Sequence, residues 1–266
     1  MDKKDFSRRN FLGSVAGLAG VAALPSLKLF SGHDQLIAAD DPAWPAPYTP
    51  LDPAAVMKLA HDTFWNGGCG YGSFHAFVKI LREQIGEPYT YIPTQMLKFA
   101  KGGVLETGTL CGALTGTLAA VNLVSPKWDK ICNELIHWYS QTYLPTDLSN
   151  QMAVNHEFDV IKHEGPIEQS LSHSPLCHVS VTRWCQLTGA TVVSNHRKER
   201  CARVAADCIG KAVELLNLEY AGQYAPTFHA DEETEKCLAC HGPKSEMANV
   251  QAEMPCGRCH GNPHAE

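Results

Sequence analysis

The stretch SNHRKERCARVAADCIGKAVELLNL, residues 194–218, decides the fold. Val204, Cys208, Ala212 and Leu215 recur at spacings of three and four, which lays one apolar face along a long helix. Upstream the same period returns. Asp52 followed by Pro53 is a helix start, a capping side chain ahead of a proline at the first turn. The helix continues from Ala54 to Trp65, breaks over Gly67–Gly72 around Cys69, and resumes from Tyr71 to Ile85, ending at Gly86. Thr94 caps a short helix that stops at Gly102 and Gly103. Cys111–Val124 reads as a small-residue helix, and Lys127–Leu144 as an amphipathic one with Trp128, Ile131, Leu135 and Trp138 on one side. Residues 145–175 carry scattered Pro, Gly and His and read as irregular, and no segment has a convincing strand period. The expected fold is mainly α: a helical, bundle-like body over residues 53–222, followed by a short, largely irregular segment over 223–266.

Residues 40–52, rich in Pro, Ala and Asp, read as a linker. Before them, Ser7-Arg8-Arg9-Asn10-Phe11-Leu12 is a twin-arginine pattern, and a modestly apolar run follows from Phe11 to Leu24. Residues 1–39 therefore read as an export signal. The run is shorter than the roughly 20 residues a spanning helix needs. Gly13, Gly17 and Gly20 weaken it further as a membrane anchor. Cleavage is expected at Ala38 or Ala39, delivering the rest to the periplasm with no membrane span.

The net charge of −6, from 22 basic and 28 acidic residues, comes with no basic stripe, which excludes nucleic acid as a partner. There is no GxSxG or GxGxxG, so neither a serine hydrolase nor a dinucleotide binder is supported. The outlying numbers are 11 cysteines and 13 histidines.

The last segment uses four of those cysteines. Cys237-Leu238-Ala239-Cys240-His241 and Cys256-Gly257-Arg258-Cys259-His260 are two CxxCH motifs. In this motif the thiols of Cys237 and Cys240, or Cys256 and Cys259, add to haem vinyl groups as thioethers. The adjacent His241 or His260 becomes the proximal iron ligand. Two c-type haems per chain are expected. The rival reading is a four-cysteine zinc ribbon in an interaction protein, since the same cysteines have zinc spacing. Zinc needs no histidine after both second cysteines, so haem is preferred. From Pro226 onward the large apolar residues are Phe228, Leu238, Met247, Val250 and Met254, too few to cover two haems. The haems must be shielded by each other, by the body or by a second subunit, and a homodimer is expected. For the sixth iron ligand His229 and His264 are the nearest candidates in sequence. Bis-histidine ligation means electron transfer with protein redox partners, not enzymic turnover. An open iron position would instead make a redox enzyme acting on a small substrate.

Seven cysteines remain, an odd number that disulfides alone cannot absorb. Cys69 follows a glycine-rich turn. Gly108-Thr109-Leu110-Cys111-Gly112-Ala113-Leu114-Thr115-Gly116 comes next, then Cys185-Gln186-Leu187-Thr188-Gly189, then Cys201-Ala202-Arg203-Val204. Over residues 55–218 this resembles the redox-active family named for its C…GCAxxG…C…C pattern. With the signal and the paired CxxCH motifs, the whole chain is similar to the split-Soret cytochromes c. That resemblance implies a mostly helical homodimer, stacked bis-histidine haems with a ligand crossing between subunits, and an iron–sulfur centre in the helical domain. Thiolates of Cys69, Cys111, Cys185 and Cys201 could supply the four ligands of such a cluster, with Cys177 able to replace Cys185. Cys132 and Cys208 lie on apolar helix faces and read as core. A cluster inserted before export would explain the twin-arginine signal, which haem attachment after export does not.

Overall fold

The computed structural model describes residues 43–261; the signal segment 1–39 and His264 lie outside them. From Ala43 onward the chain forms one compact unit, so the haem segment is not a separate body. The fold is mainly α, as expected. Its elements are α1 (Pro53–Gly67), α2 (Cys69–Gln84), α3 (Gly112–Val124), α4 (Trp128–Gln141), β1 (Tyr143–Leu144), α5 (Asp147–Val154), β2 (Ser170–Leu171), α6 (Cys177–Thr188), α7 (Asn195–Tyr220), α8 (Glu232–His241) and α9 (Gly257–His260). The two short strands pair antiparallel, Tyr143 opposite Leu171.

Helix α7 is the axis. Ser194 caps it, accepting from the Arg197 amide. Ile209, Ala212, Val213 and Leu216 are buried in one apolar cluster with residues of α1 to α4. Burial of Ile209, Val213 and Leu216 stabilises the fold by about 1.5–3 kcal/mol each. The first half of α7 instead buries charge: Glu199, Arg200, Arg203 and Asp207 are all at or below 3% exposed. Glu199 accepts from Arg203 and lies 2.8 Å from the ring of buried His61. Its other oxygen takes the Lys162 amide, which ties the loop after α5 to the core.

Several boundaries differ from the sequence reading. The break before α2 is a single residue, Gly68, with φ of 86°, and Cys69 already opens the next helix. Gly70 and Gly72 continue that helix because neighbouring backbone packs on them, Ala100 against one and Ala60 against the other. The stretch 145–175 contains α5, capped by Thr146, and α6 follows it; neither was expected as a helix. Trp128 is largely exposed, while Ile131, Leu135 and Trp138 are buried. Residues 43–52 are strapped down instead of hanging as a linker. Ala46 N–H donates to Leu123 O, and the Tyr48 hydroxyl to Asn217 Oδ1.

The haem segment is held along one face of α4. Glu134 accepts from the amide and hydroxyl of Thr227, Gln141 donates to the His229 carbonyl, and Asn133 donates to Glu253. His137, buried between them, lies 3.7 Å from the Glu253 carboxylate. Phe228 adds an apolar anchor in the cluster that contains Cys69, Cys111 and Cys201. The segment borrows its order from the body, as its composition required.

Candidate redox centres: a thiol pocket and a haem-attachment cleft

The thiol pocket is built by close helix packing. Cys69 is the first residue of α2 and Cys111 caps α3. They meet because a Cβ on Gly112 would lie 2.1 Å from the Ala100 carbonyl oxygen, and one on Gly116 2.2 Å from that of Gly70. Only glycine permits that approach. Cys177 reaches the same place through an isolated antiparallel bridge between Leu110 and Leu176. Its amide donates to Thr109 O at 2.7 Å and the Cys111 amide to Pro175 O at 2.9 Å. Cys201 comes from the second turn of α7. All four are free thiols and buried.

The surroundings are electropositive. Cys69, Cys111 and Cys177 sit at the N-terminal ends of three helices, where the backbone dipole favours negative charge. Arg197 Nη1 lies 3.9 Å from Cys201 Sγ. A hydrogen bond from Cys69 holds the Cys201 thiol well below its ordinary value, helped by the guanidinium groups of Arg200 and Arg197. The same bond, with burial, raises Cys69. Burial raises Cys111 and pushes Cys177 up to about 12.

Among the described residues, no three His, Cys, Asp or Glu side chains converge tightly enough for a single metal ion. A multi-iron cluster places its ligands farther apart, bridged by its own sulfides. Buried, mutually facing thiols in an electropositive pocket fit that group better than a mononuclear metal. Of the sequence candidates, Cys69, Cys111 and Cys201 are brought together. Cys185 stands farther out, half-buried, facing Cys201 and Arg197. Cys132 and Cys208 are core, as read.

The two CxxCH motifs line one cavity of about 760 Å³. That is within the usual range for cofactor sites, roughly 300–1,000 Å³. Cys237, Cys240 and His241 come from the end of α8, and Cys256, Cys259 and His260 from α9 and the residue before it; Leu238, Val250 and Met254 supply apolar wall. The Cys237 and Cys256 thiols face each other, and burial with that contact raises Cys256. Asp231 caps α8 by accepting from the Thr234 amide, and Glu232, Glu233 and Glu235 fill the first turn. Those acids suit the positive end of the helix dipole, and His241 sits at the negative end. His241 Nδ1 lies 3.1 Å from Asn249 Oδ1, and the Asn249 and Val250 amides donate to the His241 carbonyl. The Asn249 side chain orients the ring, as outer partners of iron ligands do, and the two amides fix the backbone that carries it. The four cysteines are not gathered as a zinc ribbon would gather them. His229 is exposed and does not line the cavity. The residues present fit covalent haem.

A mainly helical scaffold with a buried thiol pocket and a haem-attachment cleft defines a redox protein of cytochrome c type. Residues 71–215 match the family described as "Putative redox-active protein (C_GCAxxG_C_C)". The chain is 34% identical over 220 residues to the split-Soret cytochrome c of Desulfovibrio desulfuricans (strain ATCC 27774 / DSM 6949 / MB), covering 79% of this chain and 75% of that one. A solved structure of the split-Soret cytochrome c from Desulfovibrio desulfuricans ATCC 27774, reported for a novel iron centre, superposes with a TM-score of 0.74 at 32% identity, covering 82% of this chain and 91% of that chain. The chain belongs to the split-Soret cytochrome c family, and its role is redox and electron transfer.

The sequence offered Cys177 only as a substitute for Cys185; its place beside Cys111 depends on a bridge between distant segments. The sequence did not mark Arg200 or His137. Their positions one and three residues from Cys201 and Glu134 carry meaning only once α4, α6 and α7 are packed.

Proposed function

We propose that this protein is a periplasmic dihaem c-type electron carrier with an iron–sulfur centre in its helical body, exported by the twin-arginine route. The observation that carries this reading is the pair of CxxCH motifs lining a single cavity while a separate set of thiols is buried inside the body. The haems supply one-electron exchange with protein partners. This chain's residues attach them through Cys237, Cys240, Cys256 and Cys259, ligate them through His241 and His260, and orient His241 through Asn249. Cys69, Cys111 and Cys201 hold the second centre, with Cys177 as the fourth ligand on grounds of burial, in place of the more exposed Cys185. The narrow apolar wall of the cleft favours a homodimer in which a second copy covers the haems. Among the described residues no helix is long and apolar enough to cross a membrane.

Visible and EPR spectra of oxidised and reduced protein, with iron and acid-labile sulfide analysis, test this directly. Two covalent haems and additional iron with labile sulfide are expected. A colourless protein ends the haem reading, and iron confined to haem ends the cluster. Carbon monoxide binding to the reduced haems would shift the reading to a redox enzyme with an open iron position.

A further inference from the structure

Two arginines on α7 lie three residues apart and are equally buried, Arg200 at 1% and Arg203 at 0% exposed. Arg203 is partnered at each of its three nitrogens. Its Nε donates to Glu199 Oε1 at 3.2 Å, Nη1 to Asn150 Oδ1 and the Gly165 carbonyl, and Nη2 to the His163 carbonyl. Arg200 is not. Its Nη2 donates to Ser180 Oγ at 2.8 Å, an oxygen that also takes the Tyr139 hydroxyl proton. Its Nε is buried with no hydrogen-bond partner. Among the described residues no carboxylate lies within 4 Å of it. Asp207, two turns along α7, feels the Arg200 charge from beyond contact distance, but spends its hydrogen bonds on the Thr146 amide and hydroxyl and the Ser149 hydroxyl.

A buried cation without a counter-charge costs several kcal/mol, so a fold retains one only where an anion meets it. The groups that face Arg200 are the Tyr139 hydroxyl and the Cys201 and Cys111 sulfurs, Cys201 within hydrogen-bonding reach. The counter-charge therefore belongs to the thiol pocket. We propose that Arg200 is the internal counter-ion of the thiol-held centre and raises its reduction potential. An electron added to the centre adds one negative charge. A fixed guanidinium beside it stabilises the reduced form more than the oxidised one. Ser180 and Tyr139 hold the guanidinium in place.

This inference rests on the reading that the pocket holds a redox centre, and the experiment separates the two. Full-length holoprotein is titrated with dithionite through mediators, following the non-haem EPR signal and the haem absorbance independently. The comparison is between wild type, Arg200→Gln and Arg200→Lys. Arg200→Gln is expected to shift the reduced-to-oxidised ratio of the non-haem centre at least tenfold toward oxidised at fixed potential, about 59 mV for a one-electron couple. The haem midpoints should stay put, and Arg200→Lys should recover most of the shift. If Arg200→Gln loses its non-haem iron while Arg200→Lys keeps both iron and potential, the counter-charge is upheld. Equal potentials in all three overturn it while leaving the centre intact. Loss of non-haem iron in both variants also overturns it, because the arginine would then serve only to brace Ser180. A wild type without non-haem iron overturns both readings.

Discussion

The thiol pocket and the haem cleft are both lined by cysteines, yet they are made in opposite ways. The pocket lies inside a packed body, where helix ends are forced together by glycine against backbone. The cleft is lined by two short helices and a loop that hang on α4 by polar bonds and one phenylalanine. One site is defined before any cofactor arrives; the other needs the cofactor's own apolar surface to complete its core. That difference matches the order of events an exported protein with two kinds of centre would require, with the body folded first and haem attached later.

The comparison breaks most sharply at Gly112. An alanine there places a methyl 2.1 Å from the Ala100 carbonyl oxygen, which is backbone and cannot swing aside. Gly112→Ala is expected to cost about 3 kcal/mol or more, since the start of α3 must move off the Ala100 backbone. A urea melt followed by far-UV circular dichroism would measure it. Non-haem iron should fall with it. A near-wild-type melt would show that the pocket is looser than its packing indicates.

The converse variant leaves the body alone. Cys259 is exposed and touches nothing in the core, so Cys259→Ser is expected to change body stability by less than about 0.5 kcal/mol. It should lower the haem that survives acid–acetone extraction to about half. Unchanged retention of haem would mean that one thioether per motif suffices. A large fall in the melting temperature would mean that the haem segment holds up the body, reversing the dependence argued above.

The pocket's polar flank gives a pH-dependent effect. Burial pushes Asp207 up from 3.8 to about 6, against the opposing pull of Thr146, Ser149 and Arg200. A carboxyl raised in the folded state contributes stability that is full below its unfolded value and lost as pH rises through its folded value. The loss runs between pH 3.8 and about 6 and amounts to at most about 3 kcal/mol. Asp207→Asn removes that term. The stability of the variant minus that of wild type should therefore rise between pH 4 and pH 7, measured by urea denaturation at each pH. A flat difference would mean that Asp207 stays ionised throughout.

What was legible in the sequence follows the same divide. The CxxCH motifs are local, since ligand, thioethers and spacing lie within five residues, and reading them needed no fold. The long helices were legible through their period. Helix α6 was not: Val179, Val181 and Thr182 give it poor helical propensity. It is held instead by tertiary contacts, with Trp184 buried and donating to the Glu168 carbonyl. The thiol pocket depends on segments far apart in sequence and could be suspected only by family resemblance. The nearness of Cys177 depends on one bridge, and the counter-charge on which of two similar arginines finds a carboxylate.

The smallest expected effect tests how the haem segment is hung. Glu134, His137 and Gln141 lie on one face of α4, and their bonds to Thr227, Glu253 and His229 are polar and partly exposed. Removing one such bond costs about 0.5–1.5 kcal/mol. Gln141→Ala frees only the His229 carbonyl, which water can satisfy, so the global melt should move little. Local opening should rise instead, because a segment with few buried contacts opens at the low end of the stability scale. Limited proteolysis between Tyr220 and Asp231 should quicken severalfold in Gln141→Ala, and further when Phe228→Ala removes the apolar anchor as well. The two losses should combine more than additively if the bond and the ring hold the same short stretch, since neighbouring contacts couple. Simple additivity would mean that the segment is pinned at independent points, and that the cleft is better ordered before haem arrives than its contrast with the pocket implies.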